Sequence, residues 1–450
     1  MKGLTLILVG MVAWCAVAPA QEAPSWRAQA DAVVQGIPPD GPGASIVVMQ
    51  GSRVVYTAAR GLASVELGVP ISPASRFRIG SLTKTVTAAA VLRLQADHRL
   101  DIDQPINTWL PDFPNAAHIT VRQLLNHTSG VSDEWDAPLE EHFDTPTRLS
   151  FISKAPPDFP PGTDWRYSNS GYMLLGAILE KVTGKPWDEA LREGTIAPLG
   201  IQHMAFENDW AVVPGLTQGY TLDHAGQLAK PILYSISGPG AAGSLSADAG
   251  SVAALLHGLA TAPEPWPAIF RAMSTPARIG DVDLPYGLGA VPGKLRGVPV
   301  VEHAGGIEGY SAYYVYIPGS DTSVAVLQNS DALKVTARSM ARRIAAIAAG
   351  RPYLTFTITP WPAKAVEAVA GTYRIDGDSH HRISVHDGKI QIQRSGGPQS
   401  TLLTAKDDNL IYGGDGTDYI HVVRDAKGHV TAIEFHADGE AASRHEARIK

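Results

Sequence analysis

The chain has 450 residues, 44% of them hydrophobic and 18% charged, with a formal net charge of −7 and a single cysteine. That length suits two or three globular domains of about 100 to 200 residues each, and no biased tract points to a disordered or fibrous protein. An acidic balance without any run of Lys or Arg argues against nucleic acid as a partner. The lone cysteine, Cys15, leaves nothing downstream for disulfides, thiol catalysis or thiolate metal sites.

Residues 1–20 stand apart. Lys2 gives a positive start, 4–17 is almost wholly apolar, and Ala18-Pro19-Ala20 supplies the small residues that a signal peptidase needs. This predicts a secretory signal cleaved near Ala20 and a periplasmic or secreted product. The apolar run is shorter than the roughly 20 residues of a membrane span and has no second copy, so no membrane span is expected in the mature chain. Trp14 before Cys15 does not fit a lipid-attachment signal.

Residues 21–350 alternate helical stretches with short strands. Strand pairs at 44–49 and 53–59, and at 312–317 and 322–327, flank Gln50-Gly51-Ser52 and Pro318-Gly319-Ser320-Asp321 and read as hairpins at the two ends of the segment. Between them lie predicted helices over 82–95 and 171–182, the latter stopped by Gly184; a further helix over 335–348 closes on Gly350. A sheet backed by helices is the natural packing. Residues 351–450 change character: Asp-Gly pairs begin at 376, 387, 415 and 438, each near a short strand pattern, which predicts an antiparallel β domain, sandwich or barrel. His380, His381 and His386 read there as exposed hairpin histidines, and no metal is expected.

Three short motifs carry chemistry. Ser81-Leu82-Thr83-Lys84 opens the helix over 82–95, which places Ser81 at its start and Lys84 on the same face one turn on. A serine hydroxyl is inert at its own pKa, and an amine kept neutral by burial can take its proton. Alone, this motif reads better as an N-cap serine and a solvated lysine, because about one Ser-x-x-Lys arises by chance in such a chain. Tyr167-Ser168-Asn169 precedes the helix over 171–182; its tyrosine can share proton transfer, and its amide can hold the lysine and bind a carbonyl. His303-Ala304-Gly305-Gly306 follows an apolar stretch on or beside an edge strand, where small residues let a substrate approach the backbone. An N–H from this strand with that of Ser81 would form an oxyanion hole, each donor of which is worth about 10² to 10³ in rate. Together the three motifs reverse the odds. The chain has no Gly-x-Ser-x-Gly elbow, no His-Glu-x-x-His pair and no Walker loop. Gly238-Pro239-Gly240-Ala241-Ala242-Gly243 matches a dinucleotide fingerprint but lacks the surrounding βαβ pattern, and reads as a flexible loop. No cofactor is implied.

The order Ser-x-x-Lys, Tyr-x-Asn and a basic residue with small neighbours resembles the serine β-lactamases and penicillin-binding DD-peptidases of the class C type, a family with esterase and D-aminopeptidase branches. The resemblance covers about residues 40–345 and extends to Phe77-Arg78-Ile79-Gly80, Gln123-Leu124-Leu125-Asn126-His127-Thr128-Ser129-Gly130, Pro198-Leu199-Gly200 and Tyr286-Gly287-Leu288-Gly289. It implies an α+β fold, an antiparallel sheet flanked by helices plus a helical subdomain, followed by an all-β barrel-like domain similar to the lipocalin-like appendages of some such hydrolases, where it covers the cleft. It also implies that Ser81 is acylated, that Lys84 and Tyr167 exchange its proton, that Asn169, His303 and Gly305 bind substrate, and that the N–H groups of Ser81 and Gly306 hold the oxyanion. Either Lys84 or Tyr167 could be the base. His303-Ala304-Gly305 stands where many members have Lys-Thr-Gly, and a partly charged histidine there favours esters, amides or D-amino-acid peptides over β-lactams. The implied partner is a small-molecule or peptide substrate; the alternative is a penicillin-binding sensor that acylates and stalls. The sequence is silent on oligomeric state.

Overall fold

A computed structural model describes residues 25–449 apart from 135, 139, 413–416 and 441. The predicted leader and the Asp415-Gly416 pair lie outside the described residues.

A six-stranded antiparallel sheet forms the centre of the main body. Its strands are β1 (Ala44–Gln50), β2 (Arg53–Arg60), β3 (Val291–Leu295), β4 (Val298–Ile307), β5 (Tyr310–Ile317) and β6 (Thr322–Gln328), in the order β3-β4-β5-β6-β1-β2. The two predicted hairpins thus meet, Ala44 pairing with Gln328 and Gln50 with Thr322, so that the two ends of this long segment close one sheet. Alternation along each strand assigns the faces. Ile46, Val48, Tyr313, Val315 and Val324 pack on α1 (Trp26–Val34) and on the helix Ala337–Ala348. Val47, Met49, Ala312, Tyr314 and Ala325 face the larger core of the helical side. Both faces are covered, which is why β1 and β6 read as nearly continuous apolar runs.

The helical side is built on α2 (Thr83–Ala96), α3 (Asn169–Thr183) and α4 (Ala249–Thr261); the helix Ala337–Ala348 is α5. Thr83 to Leu92 are all buried, which makes α2 a central helix with no solvent face over its first half. Ser168 caps α3, its Oγ accepting from the Gly171 N–H at 3.0 Å, and Gly184 ends the helix in the left-handed conformation at φ 72°. A small three-stranded sheet of Phe77–Arg78, Leu245–Ala247 and Met204–Phe206 ties the approach to α2 to the middle of the chain.

The C-terminal segment forms an eight-stranded antiparallel meander: β7 (Gly371–Asp376), β8 (Ser379–His386), β9 (Lys389–Arg394), β10 (Gln399–Ala405), β11 (Asn409–Tyr412), β12 (Tyr419–Arg424), β13 (Val430–His436) and β14 (Arg444–Ala447). The Ile449 N–H donates to the Thr372 carbonyl at 2.8 Å and Tyr373 bridges Arg448, so the ends nearly close into a barrel. A short helix, Ala363–Ala368, places Val366 in the barrel's own core, an element that the strand pattern did not predict. His381 is not the exposed hairpin histidine expected: it is buried, its Nδ1 2.8 Å from a fully buried Glu446 carboxylate oxygen, because inward-facing positions of a closed sheet have no water. Among the described residues no group of His, Cys, Asp and Glu could hold a metal, and no helix is long and apolar enough to cross a membrane.

Candidate active site

Ser81 lies in a single 3₁₀ turn, Gly80–Leu82, that leads into α2. The turn is possible because Gly80 adopts φ 51° and has no side chain: a Cβ there would lie 2.6 to 2.8 Å from the backbone O, C and N of Gly306. The main chain beside Ser81 therefore touches the main chain of Gly306. β3 covers β4 only as far as Glu302, so 303–307 present a bare outer edge to this turn. Gly305 is buried against the Ile79 carbonyl, where a Cβ would sit at 2.0 Å.

Lys84, one helical turn on, is completely buried. Its Nζ lies 3.0 Å from Ser81 Oγ, 2.8 Å from Asn169 Oδ1 and 2.8 Å from the Ala242 carbonyl oxygen. Burial lowers its pKa to about 7, a fall that the negative charge of Asp133 partly offsets. The Asn169 and Ala242 oxygens can only accept. A neutral amine gives them its two N–H groups and is left with a lone pair directed at the serine hydroxyl.

Tyr167 completes the group. Burial pushes its phenol above the ordinary value, an effect that nearby Ser81 partly offsets, so it remains protonated at neutral pH. The Lys84 Nζ lies 4.9 Å from the centre of the Tyr167 ring. Behind it, His127 stacks at 4.3 Å between ring centroids and, through Nδ1, accepts the Ser168 N–H at 3.0 Å. His127 itself sits at φ 64°, and burial with the nearby lysine keeps it neutral.

The structure brings Ser81, Lys84, Tyr167, Asn169 and Gly306 together. His303 lies beside them, its ring centroid 6.4 Å from that of Tyr167, but its nitrogens are engaged by protein groups. Its side chain is buried, with Nδ1 2.6 Å from the Ala304 carbonyl and Nε2 2.7 Å from the Tyr286 hydroxyl. Nδ1–H is then the donor and Nε2 the acceptor, and burial followed by the Lys84 charge lowers the pKa to about 4. The partly charged, substrate-facing histidine expected from sequence is a neutral prop beneath the strand. Gly305 is likewise covered, and Gly306 is the open position, where a Cβ would meet nothing within 4 Å.

Sequence reasoning passed over two parts of the site. Asp133 accepts from the Asn169 N–H at 2.8 Å, the Asn169 amide nitrogen at 3.1 Å and the Ser170 N–H at 2.7 Å, which turns the Asn169 oxygen toward Lys84. Nothing but its spacing distinguishes it from the other acidic residues of its loop. The glycine-rich stretch that read as a flexible loop is a buried 3₁₀ turn, Gly240–Ala242, and it supplies the Ala242 carbonyl. Pairing of Phe77–Arg78 with Leu245–Ala247 holds it beside Ser81, and the Arg148 guanidinium packs on Gly240 while donating to the Ser237 carbonyl at 2.9 Å.

A helix-flanked antiparallel sheet with a buried lysine against a serine at the start of its central helix defines the β-lactamase-like class of serine hydrolases. The chain belongs to the Beta-lactamase family, whose family model matches residues 30–349. A D-aminopeptidase of Gluconobacter oxydans (strain 621H) is 27% identical over 78% of this chain and 66% of its own length. Esterase EstB of Burkholderia gladioli is 35% identical over 36% of this chain and 47% of its own length. The chain thus spans between about half and just under two thirds of these curated relatives. The octameric penicillin-binding protein homologue of Pyrococcus abyssi shares the fold, with a TM-score of 0.66 and 23% identity over 93% of this chain and 99% of that one.

Proposed function

We propose that the chain is an exported hydrolase that acts through an acyl-enzyme on small esters, amides or D-amino-acid peptides. One observation carries this reading: the buried Lys84 amine, its N–H groups spent on Asn169 and Ala242, faces the Ser81 hydroxyl at 3.0 Å. Ser81 Oγ attacks the substrate carbonyl carbon as its proton passes to Lys84 Nζ. The carbonyl oxygen takes up the negative charge, and the N–H groups of Ser81 and Gly306 are the donors suited to hold it, since the two backbones touch. Lys84 is the base because its amine can be neutral near pH 7, whereas Tyr167 keeps its proton. As the C–N or C–O bond breaks, Tyr167 gives its proton to the departing amine or alcohol and takes the Ser81 proton back from Lys84. Water then attacks the ester carbonyl, giving a proton to the neutral Lys84 amine, which returns it to Ser81 Oγ as the acid leaves. The neutrality of His303 leaves no fixed cation for a β-lactam or C-terminal carboxylate at that position. The D-aminopeptidase and esterase relatives favour turnover over a stalled adduct. Export is supported by Lys2, the apolar run and Ala18-Pro19-Ala20.

A fluorophosphonate probe is expected to label the wild type at Ser81, located by peptide mass spectrometry, and not the Ser81→Ala variant. Kinetics with a p-nitrophenyl ester, D-alanine p-nitroanilide and nitrocefin should rank the ester or anilide above nitrocefin. An unlabelled wild type, inactive on all three, would end this reading.

A further inference from the structure

The cleft at Ser81 encloses about 280 Å³, at the small end of ligand pockets, and two of its wall residues are carboxylates, Asp133 and Glu308. No Lys, Arg or His side chain is among the described residues that wall it. The two carboxylates are not equivalent. Asp133 has both oxygens engaged, Oδ2 by the Asn169 N–H and amide and Oδ1 by the Ser170 N–H. Glu308 is half-buried in the turn between β4 and β5, and among the described residues its carboxylate accepts no hydrogen bond and forms no ion pair.

The position of Glu308 is fixed from both sides. Gly306, whose backbone abuts that of Gly80, stands two residues before it, within about 7 Å of chain. Gly309 follows at φ 77°, its N–H held by Asp331 Oδ2 at 2.9 Å. Tyr234, another wall residue of the cleft, is close enough to feel the Glu308 charge. A carboxylate that is partly desolvated and unpaired has hydrogen-bonding capacity that only a ligand or water can fill. It attracts a cation and repels an anion, and the single positive group near the reacting carbonyl of a small aminoacyl substrate is its α-ammonium.

We propose that Glu308 is a specificity-determining residue that receives the protonated α-amine of the acyl group, so that the enzyme prefers aminoacyl amides and esters with a free amino terminus. Substrates with an acylated amine or an added carboxylate are disfavoured. This rests on the acyl-enzyme reading above, and the two can fail separately.

The test compares D-alanine p-nitroanilide, N-acetyl-D-alanine p-nitroanilide and N-succinyl-D-alanine p-nitroanilide on the full chain, as wild type, Glu308→Gln and Glu308→Lys. The wild type is expected to favour the free amine. In Glu308→Gln the ratio of kcat/KM for the free amine to that for the N-acetyl compound should fall about 10-fold or more, the scale of a lost charged hydrogen bond. In Glu308→Lys the N-succinyl compound should gain on both others. Fluorophosphonate labelling of Ser81 in each variant establishes that the site is assembled. Labelled variants whose ratio stays within about twofold of the wild type, or a wild type that prefers the N-acetyl compound, would overturn the role of Glu308 and leave the acyl-enzyme standing. Loss of labelling in the wild type would overturn both.

Discussion

At the scale of single residues, the proposed mechanism turns on one proton at Lys84. Below about pH 7 the amine is an ammonium whose three N–H groups are all donated, and it cannot accept from Ser81. Above that pH the lone pair is free. The acylation rate on a neutral ester should therefore rise with pH to half its maximum near pH 7 and then level off, as read by stopped-flow release of p-nitrophenol. Asp133 supplies the opposing charge, so in Asp133→Asn the ammonium loses a stabilising neighbour and the midpoint should move to lower pH. A midpoint that moves upward or stays fixed would remove Asp133 from the electrostatics of the site. Lys84→Met, which keeps the buried volume without the base, should slow acylation by about 10² to 10⁴.

At the scale of elements, the site exists where three backbone segments approach without side chains between them. The 3₁₀ turn at Ser81, the bare edge of β4 and the Gly240–Ala242 turn come from three distant parts of the chain. Gly80 and Gly305 sit at the contacts, with no room for a Cβ, and Gly80 also needs its positive φ. Gly306 differs, because a methyl group there meets open space. Gly80→Ala and Gly305→Ala should each lower the thermal midpoint clearly and abolish probe labelling, while Gly306→Ala should melt within a few degrees of the wild type; calorimetry separates the three. Equal losses for all three would contradict the close packing of the turn on β4.

At the scale of the whole molecule, the barrel joins the main body through one buried ion-pair network. Arg342 on α5, nearly fully buried, donates to both oxygens of Glu302 on β4 and to Asp438 Oδ1 at 2.7 Å, and Asp438 also accepts from the Tyr353 hydroxyl and the Arg296 N–H. Arg296 lies in the turn before β4, about 25 Å or more along the strand from Gly306, whereas Glu302 is four residues from Gly306, about 13 Å. No barrel residue walls the cleft among the described residues, and the covering role implied by the resemblance is not what this packing gives. Removing Arg342 leaves Glu302 buried and unpaired, so Arg342→Met should cost about 3 to 5 kcal/mol. Asp438→Ala leaves the Glu302–Arg342 pair in place and should cost less, about 1 to 3 kcal/mol. Urea denaturation measures both, and the order of the two is the check. Ser81 in folded Asp438→Ala should still take up the probe, given the distance.

The sequence by itself determined the serine–lysine spacing, the helices that carry it and the terminal strands of the sheet, because a helical turn and a hairpin are local and their periodicity is written in neighbouring residues. It also marked Tyr167 and Asn169, since a short motif before a helix start can be read without knowing what faces it. The rest was settled by tertiary structure. Whether Lys84 is solvated or buried depends on Ala242 and Asn169, which lie 158 and 85 residues away. Asp133 looked like any acidic loop residue until helix α3 began beside it, and the glycine-rich stretch looked mobile until the small sheet buried it. His303 carried the opposite lesson: its neighbours in sequence suggested a substrate contact, but side chains alternate along a strand, and the packing on Tyr286 turned this one inward. Burial and long-range contact set the charge states on which the chemistry depends, and neither is a property of a local stretch of sequence.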